Sequence, residues 1–247
     1  QDEFDALPSR GPVVPTRSAA EVIANHGKGR VSAILTAEGG DFLEGGLGRL
    51  GEARAHGMRS ITLCHYRINE IGDIQTEPPV HGGLSAFGEQ LVREMNASGL
   101  IVDLAHASFD TSKRAVELAT APLMVSHSHL QPAAGGHPRL LSVEHARMVA
   151  GTGGVIGVWP SGVVQRSLAD YAGEILRLVD AVGIDHVCIG TDMDANYMPV
   201  FDNYRQLPMV IALLAQRGLR DDELVKVMGG NFLRVLAACE TGADRVS

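Results

Sequence analysis

The chain has 247 residues, 45% of them hydrophobic, which is enough for one sizeable core and within the range of a single α/β barrel. Its 21 Lys and Arg against 29 Asp and Glu give a net charge of −8, which argues against a binder of phosphate backbones, so no nucleic acid partner is expected. No run approaches the roughly 20 consecutive apolar residues of a membrane span, and no basic-then-apolar secretory signal opens the chain. No transmembrane segment is therefore expected. A cytoplasmic location is favoured for the chain as it stands, or a secreted or periplasmic one if a leader has been removed ahead of Gln1.

In chain order, residues 1–15 hold Pro8, Pro12 and Pro15 and are expected to be an extended N-terminal segment, with 16–247 forming one domain. Ser18 followed by Glu21 has capping-box spacing and marks a helix start. Short runs rich in Val and Ile then recur at 31–37, 59–64, 100–104, 123–126, 154–159 and 186–190. Continuous apolar runs of this length suit strands buried on both faces. Between them, 47–56, 87–98, 111–120, 143–152 and 167–182 carry helical spacing. That alternation demands parallel strands with crossover helices, in a barrel or a doubly wound sheet. Towards the end, Gly229-Gly230 interrupts a helical stretch before a last helix from Asn231. Cys64, Cys188 and Cys239 are too few and too dispersed for a disulfide framework or a thiolate metal site and read as buried thiols.

Ionisable residues gather where the apolar runs stop. The first strand ends on Glu38, the second on His65, the third on His106, the fourth on His127 and the sixth on Asp192. In a parallel barrel the C-terminal strand ends share one mouth, so groups far apart in sequence would converge there. Imidazole nitrogen and carboxylate oxygen are ligands that Zn²⁺ accepts, and a catalytic zinc keeps one position open. Any one such histidine is more often structural; five groups at equivalent strand ends are hard to assign to coincidence.

At these residues the sequence resembles the membrane (renal) dipeptidase family of zinc peptidases, within the metal-dependent hydrolase superfamily. The resemblance runs from Thr16 to Arg234. It is carried by Ala37–Gly40, Gly57–His65, Leu84–Gly88, Arg93–His106, Ala121–Ser128, His137-Pro138-Arg139, Gly183–Asp192 and Gly229–Arg234. It implies a TIM-type barrel in which Glu38 bridges two zinc ions, His106 and His127 complete one site, and Asp192 ligates the other and handles the proton of the attacking water. It further implies that His65 steadies the tetrahedral intermediate and that Arg139 meets the substrate's terminal carboxylate, a task to which its fork of donors is suited. Asp194, His129 and His137 lie near the motifs as supporting candidates. Asp103, three residues before His106 on a strand, should face away from it. The glycine pairs 39–40 and 229–230 read as tight turns rather than phosphate loops.

The sequence departs from the family at one place. The family's first strand carries a His-x-Asp pair that binds the second zinc, and no such pair precedes Glu38; His26 is the single histidine there. The first two strands of the family barrel are thus expected to be missing. A partial chain, a second copy covering the open edge as a homo-oligomer, and a short family member all remain open. One well-held zinc is expected, with a second weak or absent. The expected function is zinc-dependent hydrolysis of dipeptides, including those with a D-configured C-terminal residue, or of similar small amides. The alternatives are another small amide, lactam or ester in a tailoring pathway, and an inactive binding or assembly module.

Overall fold

The computed structural model describes residues 2–132, 136–193 and 196–243. The chain divides into two compact units, one running to Leu123 and resuming at Leu233, the other Met124–Phe232.

In the first unit, helix α1 (Asp2–Asp5) and a 3-10 turn (Leu7–Arg10) lead into strand β1 (Val13–Pro15). Helix α2 (Ala19–His26) then returns the chain to β2 (Val31–Ala33), which pairs parallel with β1. Residues 1–15 are therefore not simply extended: they comprise a helix, a 3-10 turn and a strand. The prolines permit it because Pro15 closes β1 at its last residue, where a strand tolerates a missing donor, and Pro8 sits in the first positions of the 3-10 turn.

The expected strand 31–37 is two strands. β2 stops at Ala33, and β3 (Leu35–Glu38) pairs instead with β4 (Met58–Thr62), so the chain changes partner at Ile34. β4 in turn pairs with β5 (Ile101–Asp103), and all three strands run parallel. The crossovers are α3 (Gly48–Ala55) and α4 (Ala86–Ala97), and α5 (Phe109–Leu118) follows β5. In α4, Gly88, Leu91, Val92 and Met95 recur at i, i+3, i+4 and i+7 and are all buried, the stripe of a helix packed on one face.

The second unit repeats the scheme. Strands β6 (Met124–Ser128), β7 (Val155–Val158) and β8 (Val187–Ile189) pair parallel in that order. They are joined by α6 (Val143–Gly151) and α7 (Leu168–Val182). Tyr171, Ile175 and Leu178 form the wholly buried stripe of α7. Helices α8 (Leu207–Gln216) and α9 (Asp221–Val225) follow, and α10 (Asn231–Ala243) starts there but belongs from Leu233 onwards to the first unit. The kink ahead of α10 lies at Gly229, whose φ of +147° is open to glycine alone at little cost.

The α/β class with parallel strands is as expected, and the helix bounds differ from the sequence reading by no more than two residues. Ser18 caps α2 by accepting from the Glu21 N–H, while Glu21 reaches back to the Arg17 N–H, one residue beyond a regular capping box. Ser85, Ser108, Ser142 and Ser167 cap α4, α5, α6 and α7 in the same way, each worth about 1 kcal/mol. Among the described residues no helix is long and apolar enough to cross a membrane. The three cysteines are buried, and burial pushes the Cys64 and Cys239 thiols up to about 12.

Candidate functional site

In the first unit, three strand-end residues meet at one oxygen. Glu38, the last residue of β3, places Oε1 3.1 Å from Nε2 of His106 and 3.4 Å from Nε2 of His65. His106 follows β5 and is buried; His65 follows β4 and is partly open to solvent. The two imidazoles cross edge to face with centroids 4.7 Å apart. His106 has φ +66°, a left-handed backbone that is unusual outside glycine and costs of order 1–3 kcal/mol where it is held.

The groups around this trio fix the strand ends. Asp103 takes the Thr62 hydroxyl at 2.7 Å and the Ala105 N–H at 3.0 Å, which binds β4 to β5 just before the two histidines. Gly39, at φ +101°, and Gly40 begin a 3-10 turn straight after Glu38. A Cβ at Gly40 would collide with Ile71 Cδ1, so this pair serves a close-packed strand-to-helix turn. Past His65, buried Asp73 accepts from the N–H groups of Val80, His81 and Gly83, which closes the loop between β4 and α4. Tyr66 is exposed and stacks on His65 with ring centroids 3.7 Å apart; nothing in the apolar pattern singles it out.

In the second unit, His127 on β6 turns Nε2 towards Asp192, whose Oδ2 lies 3.9 Å away. Asp192 follows β8 and, like His106, holds a left-handed backbone, at φ +49°. The other ring nitrogen of His127, Nδ1, lies 2.9 Å from Ser126 Oγ. Neighbours on a regular strand point to opposite faces. Ser126 and His127 meet because the β6–β7 register shifts between Val125 and Ser128, a departure no sequence period reveals. With Nδ1 protonated and donating to Ser126, Nε2 carries the lone pair, the tautomer a metal ligand needs.

Arg139 is buried and lies 5.4 Å from the ring centroid of Trp159, the residue after β7. Its loop is held in register: Ser128 Oγ donates to the Arg139 carbonyl, and the Leu141 N–H donates to the His129 carbonyl. His137 accepts from the Arg139 N–H at 3.2 Å. His129 is fully buried against Trp159, and desolvation lowers its pKa to about 4, so it stays neutral. Asp194 lies outside the described residues. Sequence reasoning missed Ser126, Tyr66 and Trp159.

The model of the membrane dipeptidase family, peptidase family M19, matches residues 9–247. The chain belongs to this family. Within M19, it is 36% identical over 240 residues to dipeptidase aclJ of Aspergillus oryzae, covering 92% of this chain and 57% of that protein. It thus spans a little over half the length of that relative. An amidohydrolase from Pseudomonas aeruginosa, 26% identical, superposes with a TM-score of 0.82 over 92% of this chain and 78% of the other. A metallopeptidase from Rhodobacter sphaeroides, liganded with a phosphinate mimic of the dipeptide L-Ala-D-Ala, gives a TM-score of 0.84 at 24% identity. Those figures cover 94% of this chain and 70% of that one, and at this identity they establish likeness of fold.

Proposed function

We propose that this chain is a zinc-dependent hydrolase of dipeptides, with Glu38, His106 and His127 as the ligands of one well-held ion. The observation that carries the reading is the Glu38 carboxylate oxygen placed at hydrogen-bonding distance from the His106 imidazole. A carboxylate oxygen and an imidazole nitrogen 3.1 Å apart are close enough that Glu38 and His106 would hold one zinc ion together. A carboxylate with two imidazoles, one of them with its second nitrogen engaged by a hydroxyl, is a donor set suited to zinc.

Zinc held there would supply Lewis acidity towards a peptide carbonyl and would make water a competent nucleophile near neutral pH. The chain's own residues supply the rest. Asp192, with its carboxylate 3.9 Å from His127, takes the proton of the attacking water and passes it to the leaving amine. His65 donates from Nε2 to the carbonyl oxygen as it gains negative charge. Arg139 pairs with the C-terminal carboxylate and orients the scissile bond. The preference extends to dipeptides whose C-terminal residue is D-configured. Asp192 with Glu38 would leave any second ion weakly held.

The test is metal analysis of the purified chain with a panel of L,L and L,D dipeptides assayed in added zinc. About one zinc per chain is expected, with turnover that collapses in His127→Ala while the circular dichroism spectrum is retained. Two tightly bound ions, or none, would overturn the metal assignment; no turnover of any dipeptide would overturn the activity.

A further inference from the structure

We propose that Trp159 is the positioning residue for carboxylate recognition: its indole face fixes the Arg139 guanidinium, so that preference for a free C-terminal carboxylate depends on it. The inference rests on the reading of Arg139 as the carboxylate-binding residue and adds the group through which Arg139 is held.

Trp159 is itself held at both ends of its peptide. Its N–H donates to the Ser128 carbonyl at 2.8 Å, which prolongs the β6–β7 ladder by one residue, and its carbonyl accepts from Gln165 Nε2 at 2.9 Å. Tyr171 Oη donates to the carbonyl of Val158 just before it. The ring therefore projects from a fixed backbone. It is 7% exposed, and Arg139, whose guanidinium carbon lies 5.4 Å from the ring centroid, is 6% exposed. A cation over an indole face gains most when both are desolvated. A planar guanidinium resting on a ring keeps its donor edges directed outwards, where a carboxylate is bound in bidentate fashion.

Two further observations make this more than packing. The His127 ring meets the same indole edge to face at 6.2 Å, so one side chain touches both the metal-ligand candidate and the carboxylate-binding candidate and sets them on a common support. The buried indole Nε1 has no hydrogen-bond partner among the described residues. A buried donor left unmade is costly, and a role that needs the ring face rather than the N–H accounts for a tryptophan kept here without one.

Trp159 is the only tryptophan of the chain, so intrinsic fluorescence reports this contact directly in the zinc-loaded wild-type protein. A phosphinate dipeptide mimic with a free carboxylate is expected to shift the emission saturably, while its C-terminal amide leaves it unchanged. In parallel, Trp159→Met fills the space without a π face, and Trp159→Phe restores the face without the N–H. For Trp159→Met, KM for a free-acid dipeptide should rise about tenfold with kcat within about twofold, while KM for the C-terminal amide stays put. Trp159→Phe should recover most of that loss. If the wild type discriminates acid from amide and Trp159→Met discriminates equally well, or loses on both alike, the inference fails while the dipeptidase reading stands. A wild type whose emission and KM are indifferent to the carboxylate overturns the Arg139 reading, and this inference with it.

Discussion

Oε1 of Glu38 lies 3.1 Å from Nε2 of His106 although 67 residues separate them in the chain. Glu38 is the last residue of β3 and His106 lies three residues past the end of β5, with β4 between the two strands. If they share a zinc, removing either should release it. His106→Asn is the informative change, because asparagine tolerates the left-handed backbone that His106 adopts. Zinc retention and dipeptide turnover should each fall by at least about a hundredfold, beyond the loss that follows removal of a ligand's supporting partner. The thermal transition of the metal-free form should stay close to wild type. Full zinc occupancy by metal analysis would remove His106 from the ligand set.

Ser126 stands one step further from the proposed ion. Its hydroxyl lies 2.9 Å from His127 Nδ1 and, when it accepts from Nδ1–H, leaves Nε2 unprotonated for an ion. Ser126→Ala should weaken zinc binding about 10–100-fold in a competition titration with a chelator. Excess zinc should restore much of the activity, which is the pattern of a supporting group and not that of a ligand.

His145 provides a pH dependence independent of the proposed metal. It is buried near the start of α6, and desolvation lowers its pKa from 6.5 to about 4. The folded form thus stays neutral where the unfolded chain is already protonated. That difference costs nothing above about pH 6.5 and grows as pH falls towards 4, at 1.36 kcal/mol per unit, to about 3 kcal/mol. Denaturant unfolding of wild type and His145→Leu from pH 7 to pH 4 should show the wild type losing about that much more. Parallel curves would place His145 in a more solvated setting.

Gly157 in β7 and Gly190 just after β8 approach the carbonyl of Ser126 so closely that a Cβ at either would collide with it. The clash is with backbone, which cannot rotate aside. Gly157→Ala should cost about 3 kcal/mol, at the upper end of ordinary overpacking, and should disturb His127 next to that carbonyl. A neutral effect in urea unfolding would mean that the strands separate easily at this point.

Much of this was legible in the residues. Apolar runs of strand length, alternating with stripes such as that of α4, require parallel crossover units, because only that arrangement buries both patterns. Serines at the helix starts and glycines at the forced turns punctuate them. Glu38, His65, His106, His127 and Asp192 stood out because each ends an apolar run. The split of the 31–37 run at Ile34 was not legible, since a change of pairing partner leaves no mark on apolarity. Nor was the strand at Val13–Pro15, whose short run among prolines carries no period.

The sequence by itself determined the class of fold and put forward the side chains proposed to carry the chemistry, since burial and donor chemistry belong to residue types and their spacing. Only the tertiary structure decided which of them meet: Glu38 with His65 and His106, Ser126 with its own neighbour His127 across a register shift, Trp159 with Arg139. Those meetings depend on pairing register and on backbone angles such as the left-handed turns at His106 and Asp192. These are set by packing between segments distant in the chain, and local preference is too weak to dictate them.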